Sequence, residues 1–293
     1  MQICFHIGPH KTGTTSIQAY LLRSIGSADP VERWYPYTKP SEPGHAEYAR
    51  DWLFRDARMF RDLIARAERA GVRQMIVSAE DFDNLYDKNQ DVLSELLRPF
   101  DVHLIITMNS LIGRAASSWQ EAVKHGYPHA LADASKLIFN MPGYRPDFVD
   151  VARQVVRPAR TSIIVAARDQ SPVKLIGDFC LTLGQPVPSP GQPVPRSNVR
   201  LHWSEAEQMR MMNQKVRELG LPPENRKAIR KTMLQGLLKA RDKAFSYRRI
   251  ETPDAMKPSL REAAAAMKAS IARQVDEGAV SVIGDLDALS SEP

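Results

Sequence analysis

Four short runs of the chain are almost continuously apolar and rich in Ile, Val and Leu. A strand that is covered on both faces has this pattern, because neither face can present polar side chains to water. Such strands are typical of parallel sheets. The runs predict strands at Gln2–Ile7, Arg73–Ser78, His103–Met108 and Thr161–Ala166.

Segments with the apolar spacing of amphipathic helices separate these strands. Gly184 follows the last of them in the position of a helix C-cap. Strands that alternate with helices build βαβ units, so we predict an α/β fold with a doubly wound, mostly parallel sheet. The predicted helices are Ser16–Ser24, His45–Arg69, Leu111–Lys124 and Val173–Leu183.

The positions of prolines and of helix-capping residues predict three regions along the chain. Residues 1–184 carry the predicted strands, and we expect them to form the α/β core. Five prolines between Gln185 and Pro195 exclude a helix or a central strand, which makes residues 185–200 a stiff linker. Residues 201–293 show only helical signals, including a capping box of Ser204 and Glu207 and a helix start at Pro223. We expect this helical region to pack on the core as one domain.

Composition narrows the class of protein. Hydrophobic residues make up 43% and charged residues 25% of the 293 positions, which excludes disorder for most of the chain. The two cysteines, Cys4 and Cys180, stand in apolar runs and predict buried free thiols in a reducing compartment. The net charge of +6 permits an anionic ligand without requiring one. We find no signal-peptide pattern and no transmembrane segment, and expect a cytoplasmic protein.

The strongest chemical signal follows the first strand. The string Gly8-Pro-His-Lys-Thr-Gly-Thr-Thr15 joins that strand to a helix. In such a strand–loop–helix unit, backbone N–H groups and the positive end of the helix dipole point at one spot and can cradle a phosphate. Lys11 adds a full charge, and Thr14 and Thr15 add hydroxyl donors.

The loop departs from the Walker A motif of nucleotide triphosphatases. Gly8 and Gly13 have the required spacing, but Thr14 occupies the lysine position and the lysine lies inside the loop at Lys11. No Asp ends a strand in the Walker B manner, and the acids of Val77–Asp81 come after their strand. The sequence therefore predicts a phosphate site without an obligatory metal.

The string Lys11-Thr-Gly-Thr-Thr15 resembles the 5′-phosphosulfate loop of sulfotransferases that use 3′-phosphoadenosine-5′-phosphosulfate (PAPS). The longer string from His6 to Gln18 is similar to the bacterial, carbohydrate-type branch of that family. The resemblance implies a P-loop-like fold, PAPS as co-substrate, its desulfated form PAP as product, and a carbohydrate or glycolipid hydroxyl as acceptor, with no metal and no nucleic acid. It implies contacts to the 5′-phosphosulfate from His10, Lys11, Thr12, Gly13, Thr14 and Thr15.

The family's second motif holds the 3′-phosphate with an Arg at a strand end and a Ser eight residues later. Ser117 fits this motif, but Asn109 stands where the family has Arg. Arg114 lies three residues before Ser117 and shares its helix face. The resemblance thus implies that Asn109, Arg114 and Ser117 form the 3′-phosphate site, with a charge missing at Asn109.

Transfer also needs catalytic groups at the carboxyl ends of the strands, where the ligand crevice of an open α/β sheet forms. The resemblance implies that Lys11 neutralises the leaving phosphate and that Glu80, two residues beyond the second strand, is the general base. His45 is the rival base, because an unperturbed imidazole titrates near neutral pH.

Two other functions stay open at the level of sequence. A P-loop small-molecule kinase or nucleotide hydrolase is disfavoured by the displaced Lys11. A non-catalytic nucleotide- or polyanion-binding protein is compatible with Asn109 and with the basic stretch Arg226–Arg249. Binding of PAP with and without magnesium would separate the three.

Overall fold

The computed structural model describes most of the chain and places its strands in one sheet. The described residues are 1–25, 31–36, 44–54, 56–85, 90–167, 170–188, 201–239 and 250–292. Within them, six parallel strands follow the order β2-β3-β1-β4-β5-β6. The strands are β1 Gln2–Ile7, β2 Arg33–Trp34, β3 Gln74–Ala79, β4 Asp101–Met108, β5 Arg160–Val165 and β6 Ser281–Ile283.

Helices cover both faces of this sheet, so the predicted doubly wound α/β fold is confirmed. The helices are α1 Thr14–Ser24, α2 Ala46–Phe54, α3 Arg58–Arg69, α4 Gln90–Leu97, α5 Leu111–Lys124, α6 Ser135–Phe139, α7 Phe148–Val156, α8 Pro172–Thr182, α9 Trp203–Glu218, α10 Pro223–Lys239 and α11 Lys257–Asp276.

Alternate residues of each central strand enter two separate apolar cores. Cys4 and Ile105 face α1 and α8, which supply Leu21 and other apolar side chains. Phe5 and Leu104 point to the opposite face, where α2, α3, α4, α5, α7 and α11 pack. Burial on both faces explains why these strands are apolar at nearly every position.

The predicted helix His45–Arg69 is wrong as a single element, because α2 ends at Phe54 and α3 begins at Arg58. Ala57 adopts a left-handed backbone with φ of 57° and interrupts the helix. The Asp51 carboxylate accepts a hydrogen bond from the Met59 N–H at 2.7 Å and so caps the start of α3. The apolar stripe continues across the break, and periodicity alone could not locate it.

The sequence predicted a wholly helical C-terminal region, and this prediction is wrong. Ser281–Ile283 forms β6 and pairs with β5 at the edge of the sheet. Gly284 has φ of 101°, and a Cβ there would lie 2.3 Å from the carbonyl oxygen of Val165, so the chain passes directly against β5. The final strand therefore joins residues 201–293 to the core sheet. The two-residue edge strand β2 was also not predicted.

The N-terminus of α9 differs from the predicted capping box. The helix begins at Trp203, and the Glu205 carboxylate accepts a hydrogen bond from the His202 N–H at 2.6 Å. Glu207, the predicted partner of Ser204, instead forms an ion pair with Arg210 at 2.8 Å. Of the predicted linker 185–200, residues 189–200 lie outside the described part of the chain.

The structure bears on two predictions that were drawn from the composition of the chain. Cys4 and Cys180 are buried free thiols, as predicted. Burial raises the pKa of Cys4 to about 12, which keeps it protonated and unreactive. No helix in the described ranges combines the length and the apolar character needed to cross a membrane.

Candidate functional site

The order of the strands creates a crevice beside β1. From β1 the chain passes to β2 and then β3 on one side of β1, and later to β4 on the other side, so the loops after β1 and β4 diverge at the carboxyl edge of the sheet. Ligands of open α/β sheets bind at such switch points. A cavity of about 250 Å³ lies here, and its walls include Lys11, Thr12 and Gly13 from the first loop and Asn109 and Ser110 from the second.

The loop after β1 is held in a tight, specific conformation. A Cβ at Gly8 would lie 2.2 Å from Cγ2 of Thr14, so only glycine fits this close approach. Lys11 has a left-handed backbone with φ of 73°. Thr12 Oγ1 donates to the Pro9 carbonyl at 2.8 Å, and Asn109 Nδ2 donates to the Lys11 carbonyl at 2.8 Å. Asn109 thus connects the two loops that border the crevice.

Lys11 is paired with an acid that the sequence did not single out. Its Nζ lies 2.8 Å from Oε2 of Glu121, and Nζ of Lys124 lies 3.1 Å from the same oxygen. Burial alone would raise the pKa of Glu121, but the His125 hydrogen bond and the Lys11 and Lys124 charges hold it well below its usual range. Glu121 is therefore ionised, and an anion that binds Lys11 competes with it.

Arg114 is the most unusual side chain of the cavity wall. It is only 1% exposed, and its Nη2 donates to the Gly143 carbonyl. The Tyr144 ring lies 4.4 Å from its Cζ. Its Nε and Nη1 have no hydrogen-bond partner among the described residues. Because a buried guanidinium whose nitrogens lack hydrogen-bond acceptors is costly, this part of the cavity is suited to a negatively charged group. Ser117 lines the same cavity one helical turn further along α5.

Glu80 lies directly after β3 and organises a second cluster of side chains. Its Oε2 is 2.6 Å from Nδ1 of His10, and its Oε1 accepts hydrogen bonds from the hydroxyls of Thr14 and, at 3.5 Å, Thr15. The hydrogen bond to Glu80 raises the pKa of His10 to about 9. Burial alone would raise the pKa of Glu80, but the His10 and Thr14 hydrogen bonds lower it. Glu80 and His10 therefore form an ion pair.

The structure separates the predicted site residues into two neighbouring groups. Among the described residues, one group lines the cavity and the other contacts Glu80, which does not line it. The cavity group is Lys11, Thr12, Gly13, Asn109, Arg114 and Ser117. The Glu80 group is His10, Thr14 and Thr15. The hydroxyls of Thr14 and Thr15 were predicted to face the ligand phosphate, but in this structure they contact Glu80. In the first turn of α1, Ser16 lines the cavity instead.

The geometry argues against His45 as the general base. The ring is buried, and its Nδ1 accepts a hydrogen bond from the Ser78 N–H at 3.0 Å. Its Nε2 therefore carries the proton and donates to the Pro36 carbonyl at 3.1 Å. Burial lowers the pKa of His45 to about 4. Both ring nitrogens are thus engaged by the backbone, and the ring connects two segments of chain without reaching the cavity.

Two residues near the site were missed by the sequence analysis. Glu121 lies seven positions after Arg114, so the helical period places it on the same face of α5, and this spacing could have revealed it. Asp83 is buried close to His10 and Arg114, and burial raises its pKa to about 7. No local pattern marks Asp83, because its burial depends on the packing of the segment after β3.

Comparisons with known proteins add no assignment to this site. No protein-family model matches the chain, and neither the curated proteins nor the solved structures include a match to it. In the described part of the chain, no group of three or more His, Cys, Asp or Glu side chains is arranged to hold a metal ion.

Proposed function

We propose that the protein is a PAPS-dependent sulfotransferase that acts in the cytoplasm on a hydroxyl group of a carbohydrate or glycolipid. The observation that carries this proposal is the buried Arg114, which lines the same cavity as Lys11 and has two nitrogens without a hydrogen-bond partner among the described residues. PAP bears phosphates on two different carbons of its ribose. A cavity that binds it needs two cationic points on separate elements, and Lys11 and Arg114 meet this requirement.

Each part of the donor would have its own contacts. Lys11 and the N–H groups at the start of α1 would hold the 5′-phosphosulfate. Arg114 and Ser117 would hold the 3′-phosphate, with Arg114 supplying the charge that Asn109 lacks. Asn109 would hold the loop after β1 in place, because its amide already donates to the Lys11 carbonyl.

The transfer step would use groups on both sides of the loop. The acceptor oxygen attacks the sulfur, a new O–S bond forms, and the bridging bond between sulfur and the phosphate oxygen breaks. The proton of the acceptor hydroxyl passes to Glu80, which its contacts to His10 and Thr14 keep ionised. Lys11 stabilises the negative charge that develops on the leaving 5′-phosphate. Positioning and electrostatics supply the catalysis, as in phosphoryl transfer.

One observation favours a second candidate, a P-loop kinase or nucleotide hydrolase. Thr15 occupies the Ser/Thr position of a Walker A loop, whose hydroxyl binds magnesium, and its Oγ1 lies 3.5 Å from Oε1 of Glu80. Glu80 follows a strand next to β1 and so offers an acid close to that hydroxyl. The weakness of this candidate is Thr14, which stands where the phosphate-binding lysine is required.

Calorimetric titration with PAP, with and without magnesium, tests the proposal. We expect PAP to bind equally well in both conditions. Arg114→Lys should weaken PAP by at least about tenfold, because lysine cannot reproduce the fork of donors. The same variant should leave adenosine 5′-phosphosulfate, which lacks the 3′-phosphate, almost unaffected.

The control is Arg273→Lys, which alters an exposed arginine that pairs with Asp150. Thermal melting of both variants establishes that they are folded. Binding of ATP that requires magnesium and exceeds that of PAP would support the kinase or hydrolase instead. PAP affinity that is equal in wild type and Arg114→Lys would remove the main support for a sulfotransferase.

A further inference from the structure

A second polar cavity lies at the opposite end of α5 from the cavity that Lys11 and Arg114 line, which we call the donor cavity after its proposed ligand. Its volume is about 210 Å³, and it is enclosed by the C-terminal end of α5, by α9 and by the start of α10. Twelve residues separate Arg114 from Gly126, which corresponds to about 18 Å along a helix axis. The polar residues that line it are His125, Asn213, Arg217, Arg226 and Arg230.

Two residues that line this cavity each carry a buried polar atom without a hydrogen-bond partner among the described residues. Asn213 is 3% exposed, and its Nδ2 donates to the carbonyls of Val123 at 2.7 Å and Tyr127 at 3.2 Å. These two contacts fix the orientation of the amide, and its buried Oδ1 is left without a hydrogen-bond donor within the described ranges. The Nε of Arg226 is likewise buried and has no acceptor there. The wall thus presents one unused acceptor and one unused charged donor.

The three arginines give this cavity a positive charge. Arg217, Arg226 and Arg230 form no ion pair with any acid in the part of the chain that the structure describes. His125, the remaining basic residue, is 3.2 Å from Oε1 of Glu121. Arg230 packs closely on Gly126, where an added Cβ would lie 3.0 Å from its Nη1. The guanidinium groups are therefore gathered around the cavity without an ion-pair partner among the described acids.

We propose that this cavity is a binding site for a sugar or polyol ester of phosphate or sulfate. Guanidinium forks bind tetrahedral oxyanions through paired, charge-assisted hydrogen bonds, and Arg226 Nε is free to make one. A sulfate dianion or the ester phosphate dianion itself offers no hydrogen to Asn213 Oδ1, whereas a hydroxyl beside the ester group does. An unused acceptor beside unused cationic donors favours a ligand that carries both a hydroxyl group and an anionic ester group. The proposal does not depend on the sulfotransferase proposal.

Calorimetry with simple probes tests this site. Titrations use the Lys11→Ala variant, so that anion binding at the donor loop is weakened. We expect glucose 6-phosphate or glucose 6-sulfate to bind at a single site, about fivefold or more tighter than inorganic sulfate, and glucose not to bind. Whichever ester binds more tightly identifies the anion. Adding Arg226→Gln should weaken the ester by about tenfold.

Matched variants separate recognition from general charge. Lys227→Gln removes one positive charge from an exposed neighbour on the same helix and should leave ester affinity unchanged. Asn213→Ala should abolish the preference for ester over inorganic anion while retaining inorganic anion binding. Thermal melting monitors its folding, and Arg226→Gln provides the independent test if it is unstable. Equal affinity for ester and inorganic anion, no saturable binding, or equal losses in Arg226→Gln and Lys227→Gln would each overturn the proposal.

Discussion

Glu121→Gln tests whether an internal carboxylate competes with the ligand for Lys11. In the present structure Nζ of Lys11 lies 2.8 Å from Oε2 of Glu121, and Lys11 also lines the donor cavity. A ligand phosphate must take this ammonium group from the carboxylate or share it. The amide variant retains the shape and a weak hydrogen bond but removes the negative charge, so PAP should bind more tightly.

The expected gain follows from the geometry of the pair. Two unit charges about 4 Å apart interact by about 4 kcal/mol at an effective dielectric constant near 20. The Lys11 side chain is 18% exposed and that of Glu121 is 30% exposed, so solvent screens part of this interaction. Lys124 and His125 also neutralise part of the Glu121 charge. About 1–2 kcal/mol remains, which corresponds to a roughly 5- to 30-fold gain in PAP affinity.

A double-mutant cycle measured by calorimetry identifies the route of this effect. PAP is titrated into wild type, Lys11→Ala, Glu121→Gln and the double variant. If Glu121 acts through Lys11, the gain should disappear when Lys11 is absent. The control is Glu207→Gln, because Glu207 also forms a 2.8 Å ion pair and is 22% exposed, but pairs with Arg210 on α9. Unchanged or weaker PAP binding by Glu121→Gln would refute the reasoning, and so would an equal gain in both backgrounds.

Three further predictions concern the Glu80 group and the sheet edge. Glu80→Gln should lower sulfuryl transfer by roughly 10²–10⁴ with little change in PAP affinity, because it removes the base, whereas His45→Asn should keep the rate of the folded enzyme within about tenfold. The His10 pKa of about 9 lies above its ordinary value of 6.5, so the stabilisation from its protonated form is complete below pH 6.5 and is lost as pH rises through 9. The melting temperature of the wild type should therefore fall as pH rises over that range, and His10→Gln should abolish this fall. Gly284→Ala should destabilise by more than about 1 kcal/mol, since a Cβ would lie 2.3 Å from a backbone oxygen, whereas Gly236→Ala in open space on α10 should stabilise by about 0.4–1 kcal/mol.

Each of these predictions has an outcome that contradicts it. Loss of transfer in His45→Asn together with retained transfer in Glu80→Gln would reverse the assignment of the base. If the melting temperatures of wild type and His10→Gln change with pH in the same way from pH 6 to 10, the ion pair with Glu80 contributes nothing to stability. Equal urea midpoints for the two glycine variants would mean that β6 does not hold its place against β5.

The amino-acid sequence by itself determined the central strands and the strand–loop–helix unit around Lys11. The four predicted strands lie within two residues of β1, β3, β4 and β5, and the predicted Leu111–Lys124 coincides with α5. These features are local, because burial on both faces leaves an apolar run and a helix leaves its period in consecutive residues. The placement of Lys11 between a strand and a helix is equally a property of neighbouring residues.

Only the tertiary structure decided which side chains meet. Lys11 pairs with Glu121, which is 110 positions away, and Thr14 contacts Glu80, 66 positions away. Both pairs exist because β1 lies between β3 and β4, which brings the end of one strand and the helix after the other to the same loop. The burial of His45 and the pairing of β6 with β5 have the same origin. Periodicity reports which face of a segment is covered, but the identity of the covering segment depends on strand order, which no single stretch of sequence contains.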